Sequence, residues 1–443
     1  MLRAEHKTGL VFFPAYDWAI SPTHPEREER LLYTQDQVLE EGLLDIEGIS
    51  ELKPDLVAVA DVNRVHFCVP DPRSVMTESH FISAGGAKTI ADAVLSGKVE
   101  RGFALVRPPG HHAQRVVHGA RGFCNVNIEA IMLEYLRVRY GIGRVAIVDT
   151  DCHHGDGTQD IYWHDPDTLF ISIHQDGRTL YPGSGFMGEL GGPTAFGTTV
   201  NIPLPPETGS EGFLYAVDNV VLPILADFKP ELVINSAGQD NHYSDPITNM
   251  NFTAQGYAEL TRRLKPDIAV LEGGYAIEGA LPYINAGIIL AMAGLDYSHL
   301  KEPNFDPQRV RQSKEVSRYI TQICDKVMES WQRRAAYAQE VRRKPDCGRR
   351  QRRIFYDTDS INEMQTEELI VCRDCAGALS IDSRSDRGHH IRAIHIPRLA
   401  CKVCRQQAYD WFEQADTKAY DRIYLQDRPK DDFRMRAALR AAK

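Results

Sequence analysis

Residues 144–157 read R-V-A-I-V-D-T-D-C-H-H-G-D-G. The run Val145–Val148 has the apolar, β-branched content of a buried strand, and the glycine-punctuated turn after it ends that strand. Into this turn the chain packs Asp149, Asp151, His153, His154 and Asp156. Residues i and i+2 of an extended segment share a face, so Asp151 and His153 converge on one point while Cys152 turns toward the core. A carboxylate and an imidazole that converge are ligands zinc accepts. So many ionisable groups at a strand end are costly unless a metal or polar partners satisfy them.

Outward from this turn the same pattern repeats. Short β-branched runs at Leu10–Phe13, Phe103–Val106, Leu169–His174, Thr199–Ile202, Leu232–Ser236 and Ile268–Glu272 alternate with amphipathic stretches. The helices expected between them are Gly85–Leu95, Val126–Arg139, Glu211–Asp227, Thr253–Leu264 and Gly279–Ala293. Alternation of this kind predicts an α/β fold, an open, mostly parallel sheet flanked by helices. Ligand sites in such sheets lie beyond the carboxyl ends of the strands. Chemistry-bearing residues follow four of the strands: RPPGHHA (107–113), the opening turn, SAGQDNHYSDP (236–246) and LEGGY (271–275).

The 443 residues are 43% hydrophobic and 25% charged, an ordinary globular composition. No apolar run reaches membrane-spanning length, and the N-terminus lacks a secretory pattern. A cytoplasmic protein without membrane partners is expected. Nine scattered or paired cysteines do not make a disulfide scaffold. Net charge is uneven. Residues 345–443 carry 19 Lys and Arg against 16 Asp and Glu, and the preceding chain carries 32 against 45. An acidic body suits cationic substrates through long-range steering, and it equally serves solubility.

A catalytic zinc takes three protein ligands and keeps a position open. Asp240, after the strand Leu232–Ser236 and behind Gly238, is the best third ligand beside Asp151 and His153. A metal there makes hydroxide available and polarises a carbonyl. His111 and His112 are the available proton shuttles. Asp149 and Asp156 are spare carboxylates that make two His–Asp pairs with them. Tyr275 offers a phenol to a developing oxyanion.

These motifs, together with THPERE (23–28), GFCNVN (122–127) and LYPGSG (180–185), stand in the order and spacing of the zinc-dependent histone deacetylase family, which the chain resembles over residues 9–295. That family also holds acetylpolyamine amidohydrolases and acetoin-utilisation deacetylases, and its fold is arginase-like. The resemblance implies a bacterial-type hydrolase with catalytic zinc on Asp151, His153 and Asp240. It implies His112 as general base oriented by Asp156, His111 as its partner held by Asp149, and Tyr275 at the transition state. Phe123 and Tyr181 then wall an acyl-lysine channel that Ile247 also lines, and the Gly122 carbonyl accepts the substrate amide N–H. A potassium ion near Asp149, Asp151, His153, Ser172 and Ile173 is implied as well. Three features depart from the pattern. The segment QRVVHGAR (114–121) is about two residues longer than usual, which puts His118 on the channel rim; Gln239 and His242 flank Asp240; and Tyr181 adds a hydroxyl where Phe is commoner. All three are expected to bear on substrate choice. His24, His154, His164 and His174 are read as structural.

Residues 307–344 read as one long charged helix or linker after a deacetylase domain at 1–306. Pro345 and the arginine-rich run 342–353, expected to be a solvated hinge, open a C-terminal domain at 345–443. CRDC (372–375) and CKVC (401–404), 25 residues apart, are spaced like a zinc ribbon, with Cys372, Cys375, Cys401 and Cys404 on a structural zinc. His389, His390 and His395 are substitute ligands that four cysteines make unnecessary. No DNA-reading helix is evident, so nucleic acid is not an expected partner, and the oligomeric state stays open. The expected activity is removal of an acyl group from acylated lysine side chains of proteins. An acylated polyamine is the alternative substrate. A silent acyl-lysine binding protein is the alternative of another class, and a two-metal ureohydrolase is disfavoured by the ligand spacing.

Overall fold

The computed structural model describes residues 2–437. Strands β1 (Arg3–Phe13) and β2 (Glu47–Leu52) are followed by the short β3 (Phe67–Cys68), by β4 (Arg101–Val106) and by the short β5 (Val116–Val117). Then come β6 (Val145–Asp149), β7 (Thr168–Gln175), β8 (Thr199–Leu204), β9 (Leu232–Ser236) and β10 (Ile268–Val270). Eight of them form one sheet in the order β2-β1-β4-β10-β9-β6-β7-β8. Every pairing in it is parallel.

Alternate residues of the central strands enter two different cores. Ala146 and Val148 of β6 pack on one face with Phe103 and Leu105 of β4. Val145 and Ile147 pack on the other with Ala104 and Val106. The period of two is that of a strand, and burial on both sides explains why these runs are continuously apolar. The helices Glu78–Leu95 and Ile128–Tyr140 cover the second face, while Ala254–Leu264, Leu281–Ala293 and the continuous helical run from Ser210 to Phe228 cover the first. Asn127 and Thr253 cap two of these helices, each side chain accepting a backbone N–H of the first turn. The edge strand β2 has no apolar run and was not expected from the sequence.

The charged stretch after residue 306 is helical from Lys314 to Arg342, shorter than expected, with Ser313 capping it. It is no free linker. Ile320, Ile323, Cys324, Val327 and Trp331 pack into the first core.

Beyond it lies a second sheet. Strands β11 (Arg349–Tyr356), β12 (Ile361–Leu369), β13 (Leu379–Ser385), β14 (His390–Ile396), β15 (Arg422–Asp427) and β16 (Asp432–Ala437) pair in sequence order. All pairs are antiparallel except β14–β15, which the helix Lys402–Gln414 connects. The arginine-rich run is therefore not a solvated hinge. Arg349–Tyr356 is a strand, and Arg352 is an ion-pair partner of Asp160 in the main body. Leu369, Leu379, Ile381, Ile391, Ala393 and Tyr424 of the second sheet share one core with Phe67, Val69 and Val116. The Tyr424 hydroxyl donates to the Pro70 carbonyl at 3.0 Å. Among the described residues no helix is long and apolar enough to cross a membrane.

Candidate active site

The four strands followed by chemical motifs, β4, β10, β9 and β6, are neighbours in the sheet. Their carboxyl ends thus deliver residues 107–113, 272–275, 236–246 and 149–157 to one place. Asp151, His153 and Asp240 are buried, and one ligand atom of each lies within 4.8 Å of the others. His153 Nδ1 is 2.8 Å from Asp240 Oδ2 and 3.3 Å from Asp151 Oδ1. The outer carboxylate oxygens are spoken for. The Gly273 N–H donates to Asp151 Oδ2 at 2.7 Å and the Cys152 N–H to Asp240 Oδ1 at 2.7 Å. Such second contacts aim ligands at a shared point. A Cβ on Gly238 would sit 2.0 Å from Asp151 Oδ2, so only glycine lets the β9 turn pass. Burial and the Asp151 charge push the Asp240 carboxyl above its ordinary range. Two buried carboxylates and an imidazole, anchored and converging, fit a divalent cation.

Both expected His–Asp pairs form. His111 Nδ1 is 3.0 Å from Asp149 Oδ2, and His112 Nδ1 is 2.8 Å from Asp156 Oδ1. The two imidazoles lie 4.1 Å apart between centroids, yet their environments differ. Burial disfavours the His111 imidazolium, but Asp151 and Asp149 outweigh it and hold its pKa well above the ordinary value. Burial, then the His111 charge, pushes His112 down to about 3. Pairs of titratable groups driven apart in this way mark acid/base assignments.

Tyr275 is buried, with its N–H on Asp245 Oδ2 at 2.8 Å and its ring edge-on to Phe123 at 5.7 Å. Tyr181 stands edge-on to His112 at 5.2 Å. Gly122 takes φ +52°, and a Cβ there would meet His112 Cδ2 at 2.4 Å. Phe123 follows with φ +70°. His24 packs its ring on Phe123 at 4.3 Å. Ile247 is half-buried, its N–H on Asp245 Oδ1 at 3.1 Å. Ser172 lies opposite Asp149 in the β6–β7 register, with Ile173 buried next to it, and the Ser172 hydroxyl meets His174 Nδ1 at 2.8 Å. His154 bridges Ser184 and Gln159, and Cys152 is in the core.

Some expectations fail. His118 is not on a rim. It is buried against the second sheet, 2.8 Å from the Ser383 hydroxyl. Gln239 points away from the metal centre and donates to Asn285. His242 is buried between Ser244 and Glu302. The longer segment 114–121 instead serves as a platform for the second sheet. Gln114 accepts from Arg352 at 2.6 Å and donates to Asp156 Oδ2 at 2.9 Å. Arg121 also donates to Asp156 Oδ2 at 2.9 Å and reaches the Phe355 carbonyl at 2.5 Å. On the turn after β11, Asp357 Oδ1 accepts the Gly122 N–H and the Tyr181 hydroxyl, both at 2.9 Å.

Arg30, Arg121 and Asp357 are site residues that sequence reasoning missed. Arg30 is fully buried beneath Tyr275, its guanidinium 5.0 Å from the ring centroid. It donates to the carbonyls of Gly274 and Glu272 and pairs with Glu26 at 2.8 Å. In the run E-R-E-E-R it looks no different from the exposed Arg27.

In the second sheet Cys372, Cys375, Cys401 and Cys404 also cluster within 4.8 Å. Cys375 and Cys404 have Sγ atoms 3.6 Å apart. That is far beyond a disulfide and close to the roughly 3.8 Å edge of a tetrahedron with 2.3 Å metal–sulfur arms. None of His389, His390 and His395 joins the cluster. The ribbon-like cysteines thus sit on a larger six-stranded unit.

A family model described as "Histone deacetylase domain" matches residues 68–289. The chain is 46% identical over 331 residues to a "Probable deacetylase" of Archaeoglobus fulgidus, covering 68% of this chain and 90% of that protein. It is 34% identical to a "Histone deacetylase-like amidohydrolase" of Pseudomonas aeruginosa, covering 50% and 62%. The crystal structure of the HDA15 HD domain superposes with TM-score 0.64 at 26% identity, covering 76% of this chain and 99% of that one. With its parallel sheet and its Asp–His–Asp metal site, the chain belongs to the histone deacetylase family, as a deacetylase or amidohydrolase of that family.

Proposed function

We propose that the protein hydrolyses the amide of acylated lysine side chains in proteins, with zinc as the metal of Asp151, His153 and Asp240 and a second, structural zinc on the four cysteines. One observation carries this: three converging buried ligand atoms lie at the carboxyl end of the sheet together with two His–Asp pairs and a buried tyrosine. Zinc on that triad supplies an acidified water and a polarised acyl carbonyl.

The remaining work falls to side chains. Asp156 holds His112 Nδ1, which leaves Nε2 free to take a proton from water and later give it to the departing amine nitrogen. Because burial keeps His112 neutral, it starts as an acceptor. His111, tied to Asp149, serves as the charged neighbour. The Tyr275 hydroxyl donates to the carbonyl oxygen as negative charge grows there. The Gly122 carbonyl takes the amide N–H, and Phe123 and Tyr181 keep bulk water from the acyl chain. The facing positions of Asp149 and Ser172 support potassium at that corner.

A small acylated amine such as an acetylpolyamine is the second reading. It is favoured by Asp357, a half-exposed carboxylate beside the channel wall, which suits a cation near the acylated nitrogen. A panel of acetyl-lysine peptides and acetylpolyamines, compared by kcat/KM on the zinc-loaded protein, separates the two. Higher values for the peptides support the first reading, and higher values for the polyamines replace it with the second.

A further inference from the structure

Where the helix Asp156–Tyr162 ends against the second sheet, Arg64, Arg115, Arg137, Arg398 and Arg428 line one partly open cavity, and among the described residues its wall includes two carboxylates, Glu134 and Asp165. About 40 Å3 is open there to the centres of water-sized groups, several times the roughly 10–15 Å3 that one water requires.

Four of the arginines have acids of their own. Arg64 is held by Asp61 and Asp431, and Arg398 by Asp167. Arg137 pairs with Glu134 at 2.9 Å and Asp165 at 2.7 Å, and Arg428 shares Glu134. Arg115 is different. It is 6% exposed, donates to the Ile161 carbonyl, and has no ion-pair partner among the described residues. Asp160 accepts the Arg115 backbone N–H at 3.0 Å, but its carboxylate pairs with Arg352. Further donors in the wall lack any acceptor: Arg137 Nε, Arg428 Nε and the Tyr162 hydroxyl. A buried guanidinium with no direct ion pair, which Asp160, Glu367 and Glu134 reach only at longer range, and three buried donors without acceptors are each unfavourable in a folded protein. Burial pulls the Arg115 guanidinium below its ordinary range. Burial with the charges of Arg115 and Arg428 drives His395, in the same wall, far toward its neutral form.

We infer that this cavity binds a small tetrahedral oxyanion, inorganic phosphate, which takes the unpaired fork of Arg115 and the free donors of Tyr162, Arg137 and Arg428. A guanidinium fork matches phosphate oxygens two at a time, and the volume suits the bare ion. The wall draws on both units: Arg115 and Tyr162 come from the main body, and Arg398 and Arg428 from the second sheet. The helix that ends at Tyr162 begins at Asp156, the partner of His112. The bound ion therefore braces the junction one helix away from the candidate proton acceptor. This inference is independent of the substrate proposed above, because its test reads binding and stability.

The test uses the full-length protein, freed of phosphate and sulfate and then titrated with inorganic phosphate by calorimetry and thermal unfolding. Chloride holds the ionic strength constant. The expected result is saturable one-to-one binding with a rise in Tm that chloride does not give, since a ligand of the native state stabilises by mass action. Arg115→Met should weaken phosphate at least tenfold while its Tm without phosphate equals or exceeds that of the wild type. Tyr162→Phe, which removes one hydroxyl, should weaken phosphate less and serves as the milder variant. A sugar phosphate run in parallel distinguishes a phosphorylated metabolite from the free ion, and the free ion should bind more tightly. Tighter binding of the sugar phosphate would replace inorganic phosphate as the ligand. Equal effects of phosphate and chloride on the wild type would overturn the proposal. So would wild-type phosphate affinity in both variants.

Discussion

The Tyr181 hydroxyl donates to Asp357 across 176 residues of chain, at 2.9 Å. The same carboxylate oxygen holds the Gly122 N–H. The second sheet thereby anchors the Gly122 turn and the Tyr181 ring beside His112 and is no mere appendage. Asp357→Ala removes both tethers and frees a backbone that needs positive φ at Gly122 and Phe123. KM for an acetylated substrate should rise about tenfold, on the order of 1.4 kcal/mol of lost positioning, with less effect on kcat and none on metal content. Steady-state kinetics alongside metal analysis check this. An unchanged KM would mean that the turn does not act on substrate binding.

Tyr275→Phe keeps the ring against Phe123 and over Arg30 and deletes only the hydroxyl. If that hydroxyl stabilises the oxyanion, kcat should fall by roughly 100- to 1,000-fold. Metal content and thermal stability should stay near wild type. Equal turnover by the variant would remove Tyr275 from the chemistry.

Replacing Cys372 and Cys375 together by Ser breaks the four-sulfur cluster. Metal analysis should then show one equivalent lost per chain, with the equivalent at Asp151, His153 and Asp240 retained. The end of β12 and the start of the helix Lys402–Gln414 lose their common anchor, so Tm should fall. Retention of both equivalents would mean the cysteines do not hold the second metal.

Acid should destabilise the fold through its buried neutral histidines. His66 Nδ1 meets the Gln114 carbonyl at 2.8 Å and its Nε2 accepts the Asn127 N–H at 2.9 Å. Burial holds its pKa down to about 3, and burial likewise holds His174 at about 3 and His80 at about 4. The unfolded chain binds these protons below about pH 6.5 and the folded chain does not. Stability is therefore fully present above that pH and declines as pH falls toward 3. The slope is about 1.4 kcal/mol per pH unit for each such histidine. Urea unfolding at pH 7.5, 6 and 5 should show the loss, and His66→Gln should make the slope shallower. A stability that is flat over this range would contradict it.

Much of the metal centre was legible because each of its residues follows an apolar run directly. Asp151, His153, Asp240 and Tyr275 all stand at ends of buried parallel strands, where site residues of open sheets collect. The order β4-β10-β9-β6 was not legible, since parallel strands are joined by crossovers that leave neighbours unspecified. Gln239 shows the limit of adjacency: next to a ligand in sequence, it turns the other way in the β9 loop. Arg121, Arg352 and Asp357 were hidden for a different reason. Arg121 and Asp357 find their side-chain partners at least 35 residues away, and Arg352, although also near Glu367, meets the main body at Asp160, 192 residues away; residues 349–359 read locally as an exposed basic strand and turn. The extra length of 114–121 was visible. Its purpose was not, because the surface it meets is built by residues 349–385.

We propose above that Asp151, His153 and Asp240 hold a zinc ion on which amide hydrolysis depends. The most direct test of this is acetate release from an acetyl-lysine peptide and an acetylpolyamine by the full-length protein, measured as prepared, after chelation, and after readdition of zinc. The expected result is turnover of at least one substrate that chelation abolishes and zinc restores, and that an Asp240→Asn chain lacks throughout. A protein that carries the metal and releases acetate from neither substrate, or one whose turnover survives both chelation and Asp240→Asn, would contradict it.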